Sequence, residues 1–202
     1  MTVLARERGE NIAQTEARNQ CGRAIAMTVV NPIKPRRSAV LRFNFWLSRR
    51  VPQLLNRLRK LSFIHFMRWT IVEEFPYNGP PQEKEDLKYQ YLFFISNYNG
   101  YWMQYIDAFY HVVGDQMDWI WSNAYYYPKG QPPGATKRAI RHLEYTASHY
   151  YSATPDASAT MILSALALKR RFDEFEARAA GLGPKEFQRA YGRLLTDVQR
   201  YL

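Results

Sequence analysis

The sequence predicts an α+β domain followed by two helices. Short β-branched and aromatic runs alternate with stretches of helical spacing, proline- and glycine-rich segments separate them, and the C-terminal part carries helical spacing alone. At 202 residues the chain is long enough to bury a core.

Residues 1–24 are mixed polar and charged and read as an N-terminal arm. Met27 to Ile33 (MTVVNPI) is a first strand, closed by Pro32 and Pro35. Arg36 to Lys60 has helical spacing, with Pro52 placed to kink or restart the helix. At about 100° per residue, Val40, Phe43, Leu47, Val51, Leu54, Leu55 and Leu58 make one apolar stripe, which marks the expected core face. Phe63 to Glu73 is a second strand and Lys88 to Ser96 a third, joined by the polar, proline-rich loop 76–86. Ser96-Asn97-Tyr98-Asn99-Gly100 reads as a strand-to-helix turn, because Asn and Gly tolerate unusual backbone angles. Beyond it Tyr101, Trp102, Tyr105, Ile106, Phe109, Val112 and Val113 share one helical side. Gly114 should break that helix, and 115–123 continues it for a turn or two. A loop over 128–136 and a fourth strand from Leu143 to Ser152 follow. Asp156 or Ser158 caps a helix running to about Ala180, and Gly181, Gly183 and Pro184 precede a last helix. Its stripe is Phe187, Tyr191, Leu194, Leu195, Val198 and Leu202.

Strand, helix, strand, strand, helix, strand is the split βαβ, or ferredoxin-like, order over residues 25–155, and 156–202 is a C-terminal helical extension. The second strand is apolar on both faces: Phe63, Met67, Trp69 and Ile71 oppose Ile64, Phe66 and Val72. Helices on one face leave the other to be covered by the C-terminal helices, another subunit or a ligand.

The net charge of +10 is concentrated. Lys34, Arg36, Arg37, Arg42, Arg49, Arg50, Arg57, Arg59 and Lys60 fall in residues 31–60, which contain no Asp or Glu and leave 19 basic against 18 acidic residues elsewhere. One element is cationic, so its partner belongs at one place. A single cysteine, Cys21, excludes a disulfide framework and fits a reducing compartment. The N-terminal stretch has no apolar core of a secretory signal, and no apolar run reaches the roughly 18 residues of a membrane span. A cytoplasmic protein, peripheral on a membrane at most, is expected.

Several segments resemble an uncharacterised bacterial family: Asn31-Pro-Ile-Lys-Pro35, Ile64-His-Phe-Met-Arg-Trp69, Phe94-Ile-Ser-Asn-Tyr-Asn-Gly100 with Trp102 and Tyr105, and Trp121-Ser-Asn123 before Tyr127-Pro128. The resemblance covers roughly residues 20–155 and departs from the family pattern at Asn99, where Asp is commoner, and at Met67, where a small residue is commoner. It implies a ferredoxin-like domain distantly similar to dimeric α+β barrel proteins, some of which bind haem, and it carries no reaction.

No catalytic signature stands out. His65 and His149 lie in the second and fourth strands, which the ferredoxin-like order puts at opposite edges. Three spacings of about 4.8 Å part them by roughly 14 Å, too far for one metal within one subunit. His111 follows Asp107 by one turn on a polar face. His142 lies at a basic loop edge, and Glu73 and Glu74 end a strand. Gly181-Leu-Gly183 follows a helix and precedes a proline, the wrong context for a phosphate loop.

The basic helix says more. Arg42, Arg49, Arg57 and Lys60 lie opposite the apolar stripe, with Phe45, Trp46 and Arg50 among them. Aromatics among arginines suit a lipid interface, an acidic partner or a nucleic acid. The first expectation is therefore a non-enzymatic accessory protein that docks on an anionic membrane surface or a larger protein complex through Arg42, Phe45, Trp46, Arg49, Arg50, Arg57 and Lys60. It predicts no cofactor or metal and allows a homo-oligomer. The second is a dimeric-barrel-type ligand-binding or redox enzyme, with His65, Arg68, Tyr91 and His149 around an aromatic pocket and haem as its cofactor. RNA binding ranks last, because the third strand lacks the glycine and basic start of an RNA recognition motif.

Overall fold

The computed structural model describes residues 19–129 and 132–201, apart from the side chains of Leu54, Leu55 and Arg59. Of the arm expected over residues 1–24, residues 1–18 lie outside the described residues, as do Gly130 and Gln131 of the expected loop and Leu202; the rest of the arm is not free but enters the sheet at Gln20–Cys21. The chain divides into two compact units, Met1–Asp156 and Ala157–Leu202.

The first unit is α+β. Its antiparallel sheet has five strands: β1 (Gln20–Cys21), β2 (Ala24–Pro32), β3 (Ile64–Val72), β4 (Tyr91–Asn99) and β5 (Glu144–Tyr145). The order is β1-β2-β4-β3, and β5 pairs with β2 through Thr28 and Val29. Its helices are α1 (Arg37–Arg50), α2 (Trp102–Trp121) and α3 (Pro133–Leu143), with a 3₁₀ segment over Pro52–Lys60.

Period-two alternation decides which side chains meet the helices. Met27, Val29 and Asn31 of β2 stand opposite Ser96, Phe94 and Leu92 of β4, and those three stand opposite Met67, Trp69 and Ile71 of β3. Onto this face α2 lays Trp102, Tyr105, Ile106, Phe109, Met117 and Trp121, all buried. The aromatics interlock: Phe94 lies 5.3 Å from Trp69 and 5.1 Å from Trp121, and Tyr98 stacks on Tyr105 at 3.9 Å between centroids. Tyr105 donates its hydroxyl proton to the buried Ser96 Oγ at 3.0 Å, which pairs the phenol inside this layer.

Four expectations change. Ser96 to Asn99 is not a turn but the end of β4, and Ser96 and Tyr98 are fully buried. This stretch is paired on both sides, Tyr98 with Ile25 of β2 and with Ile64 of β3. Two ladders of backbone hydrogen bonds outweigh the local turn preference of two asparagines. The turn falls to Gly100 alone, at φ 94°, a region costly for a residue with a Cβ. Second, the break expected at Gly114 falls one residue earlier: at Val113 (φ −129°, ψ 20°) α2 kinks, and the chain then continues helical to Trp121. Third, the region expected as a loop and basic loop edge is helix α3, started by Pro133 at its first position, which needs no backbone donor.

Fourth, the strand expected over 143–152 shrinks to Glu144–Tyr145. The next groups are bound elsewhere: the Ala147 amide donates to Asn19 Oδ1 at 2.7 Å, and Asn97 Nδ2 donates to the Tyr150 hydroxyl. The segment ends beside the β1–β2 turn, where Arg23 N donates to Pro155 O at 2.7 Å. A side chain at Gly22 would collide with that carbonyl, which explains the glycine.

Among the described residues, the three helices of this unit pack on one face of the sheet. The other face carries Thr28, Val30, Tyr91, Phe93, Ile95, Phe66 and Val72, with Phe66 more than half exposed. Tyr150 reaches its end through Asn97.

The second unit is a helical hairpin of α4 (Ala159–Ala179) and α5 (Pro184–Val198). Ser158 caps α4, its Oγ accepting from Met161 N at 3.1 Å. Phe175, Phe187 and Tyr191 pack together at 5.5 to 6.0 Å between centroids. Leu194 and Val198 are buried, while Phe187, Tyr191 and Leu195 of the expected stripe are exposed.

Trp102→Ala or Phe109→Ala should cost about 3–5 kcal/mol in chemical denaturation, because each leaves a large hole in the layer between α2 and the sheet. A cost below about 1 kcal/mol would contradict this placement.

Candidate functional site

Helix α1 holds the basic cluster, and its orientation decides what that cluster presents. Arg36, in the left-handed region at φ 62°, precedes the helix; Val51 ends it with φ −122° and ψ 78°. Pro52 starts the 3₁₀ segment. The inward side is Leu41, Asn44 and Phe45. Leu41 is wholly buried, Phe45 packs against Trp69 at 6.2 Å, and Asn44 Nδ2 donates to Trp119 O at 3.1 Å.

The facing departs from the expected one in its aromatic and aliphatic residues. Val40, Phe43 and Val51 point outward, with Phe43 57% and Val40 and Val51 each 37% exposed, while Leu47 is half-buried. Phe45, expected among the outward aromatics, is inside. The apolar stripe drew its length from Leu54, Leu55 and Leu58, beyond the break at Val51, so it never belonged to one continuous helix. What remains of α1 is apolar on two sides, and the sheet accepts the side where Phe45 meets Trp69.

Trp46 stays outside, as expected, at 51% exposure, and stacks on Phe43 at 5.8 Å between centroids. The Arg50 guanidinium sits 5.5 Å from the Trp46 ring centre. Arg42, Arg49, Arg50, Arg57 and Lys60 are all exposed. Arg42 pairs with Glu73, and Arg57 with Asp115 at 3.4 Å; both pairs are open to solvent and weak. Arg49 and Arg50 occupy the last helical turn, where the macrodipole favours cations. The ordinary rules of helix and ion-pair chemistry thus account for most of the arginines. They do not account for two stacked aromatics on the solvent side.

The second set of residues does not converge. His65 is the extra residue of a β-bulge, since Ile64 pairs with Tyr98 and Phe66 with Asn97. It lies half-buried, and its Nε2 is buried with no hydrogen-bond partner among the described residues. Arg68 is exposed on the open sheet face. Tyr91 shares that face, but it pairs with Val72, four residues along β3 from Arg68, about 13 Å. His149, expected mid-strand, is exposed in a segment without regular structure. Among the described residues no group of three or more His, Cys, Asp or Glu side chains is placed to hold a metal ion.

Sequence reasoning missed two internal features. Beneath α2 and α3, Met27, Val29, Phe94, Ile106 and Ile140 line an apolar cavity of about 20 Å³, room for one water, which Asn31 also borders. Nearby, Arg141 lies 3.7 Å from the Trp102 ring centre and bonds Glu144 at 3.2 Å. Neither was legible, because the region around Arg141 read as a loop and strand. Burial pushes the Tyr105 phenol well above its usual range. Burial also raises the Tyr127 phenol, and its bond to Asp118 at 2.7 Å adds to the shift.

Among the described residues no helix is long and apolar enough to cross a membrane. Compared with family models, curated proteins and solved structures, the chain finds no match.

Phe45→Ala should therefore destabilise the protein by about 3 kcal/mol, as for a packed aromatic, while Phe43→Ala and Trp46→Ala should each change stability by less than about 1 kcal/mol. Thermal and chemical unfolding of the three variants check it; equal losses at all three would mean that α1 is turned differently.

Proposed function

We propose that this chain is a docking protein that binds an anionic partner, a membrane surface or an acidic face of a larger complex, through the outward side of α1. The observation that carries the reading is the set of exposed apolar side chains Val40, Phe43, Trp46 and Val51 among arginines. A monomer gains nothing by holding Phe and Trp in water, so an apolar ridge at this position has its use in binding. Phe45 and Asn44 anchor the helix to the core from below, so the ridge is preorganised.

The domain beneath it is best read as ferredoxin-like. Supporting that are the spatial order β5-β2-β4-β3, with α1 between β2 and β3 and α2 and α3 between β4 and β5, and the resemblance in the 64–69 and 94–105 segments. On this reading the sheet and α2 are the scaffold and α1 is the working surface.

Retention on an immobilised polyanion, such as heparin, tests the reading. Arg49→Glu with Arg50→Glu should elute at clearly lower salt than Arg189→Glu with Arg193→Glu, a pair of the same net charge placed on exposed positions of α5. Equal shifts would show that only total charge matters, and the reading would fail.

A further inference from the structure

The same surface points to a narrower partner. We infer that α1 docks on an anionic phospholipid bilayer, lying flat in the interface with Phe43 and Trp46 at the boundary between headgroups and acyl chains; this rests on the docking reading above.

The first argument is the distribution of chemistry around the helix. At about 100° per residue, Phe43, Trp46 and Arg50 fall at the centre of the outward side, opposite Leu41, Asn44 and Phe45. Arg42 and Arg49 share one flank, seven residues and about 10 Å apart along the axis. Val40 and Leu47 share the other. Apolar rings in the middle with cations alongside is the layering a membrane interface presents in reverse: acyl chains deepest, phosphates around them. Trp suits that boundary because its ring is amphipathic.

The second argument is shape. Two stacked rings on a convex helix form a ridge, not a single knob for a pocket in a folded partner. A soft lipid surface closes around a ridge, whereas a rigid partner needs a matching groove. At 14 residues α1 is about 21 Å long, too short to cross a bilayer, so it lies along one.

The third argument is charge. Beyond Val40 the surface falls into a groove lined by Asp115, Asp118 and Lys129, with Arg57 facing Asp115 at 3.4 Å. The charges on that side offset one another, whereas Arg42 and Arg49 attract headgroup phosphates on the other, so the helix tips toward its basic flank. Arg42 joins only by exchanging the Glu73 carboxylate for a lipid phosphate, an easy exchange for an exposed pair.

The five tryptophans make the test specific, because Trp46 alone is exposed; Trp102 and Trp121 are buried, and Trp69 and Trp119 are partly so. The full chain is mixed with vesicles of phosphatidylcholine alone, and with vesicles carrying about one-third phosphatidylglycerol. Co-sedimentation is read together with quenching of tryptophan fluorescence by lipids brominated high on the acyl chain. Binding to the anionic vesicles only is expected, with quenching that Trp46→Phe removes. Phe43→Ala with Trp46→Ala should weaken binding roughly tenfold or more, and Arg49→Gln by about fivefold. Unchanged thermal unfolding of these variants shows that the fold is intact. Binding without quenching, or binding that the double variant does not weaken, overturns insertion of the aromatic ridge. No vesicle binding, while the α1 charge reversal still outweighs the α5 reversal on the polyanion, overturns the lipid partner and keeps the docking reading. Loss of both sinks the two together.

Discussion

The contact of Phe45 with Trp69 decides how α1 is turned, and the surface of the first unit follows from that turn. Trp69 stands on the sheet face where Phe94 and Trp121 already crowd it, at 5.3 and 6.0 Å. One large ring completes that layer. Phe45 supplies it, Asn44 ties the helix to the Trp119 carbonyl, and Leu41 fills the remaining space. Burying this set is worth several kcal/mol, more than the modest gain from hiding Phe43 instead would return once Phe45 were expelled. Phe43 and Trp46 are exposed because a helix has one inward side and the better-fitting side took it.

Much of the fold is legible in the sequence because its signals are long and redundant. The alternation in IHFMRWTIV and the stripe Trp102, Tyr105, Ile106, Phe109 repeat over several periods and survive any local conflict. The cap at Ser158 and the Gly183-Pro184 stop are equally plain, since the chemistry of a helix end is local. Long-range pairing hides the rest. Asn97 and Asn99 look like turn residues until β2 and β3 flank them on both sides. The segment after Leu143 looks like a strand until Asn19 and Asn97 take up its polar groups. Neither competitor is adjacent in sequence.

The candidate site was half legible for a related reason. Charge concentration needs no structure, and the basic run over 31–60 is plain at sight. Which side of the helix meets the core depends on whether the periodicity continues, and Pro52 divides a stripe that projection joins. A helix apolar on two sides leaves its orientation to tertiary fit. The two sides differ by Phe45 against Phe43, two residues apart. The histidines were less legible: both were expected in regular strands, but His65 is the extra residue of a bulge and His149 lies exposed in a segment without regular structure.

Residue-level covalent footprinting of the free protein tests the orientation of α1 most directly. Phe43, Trp46 and Val40 should label heavily, while Phe45, Leu41 and Trp69 stay protected until the protein unfolds. The reverse pattern, with Phe45 labelled and Phe43 protected, would contradict the account, since the ridge would then be core and the surface left to α1 would be a different one.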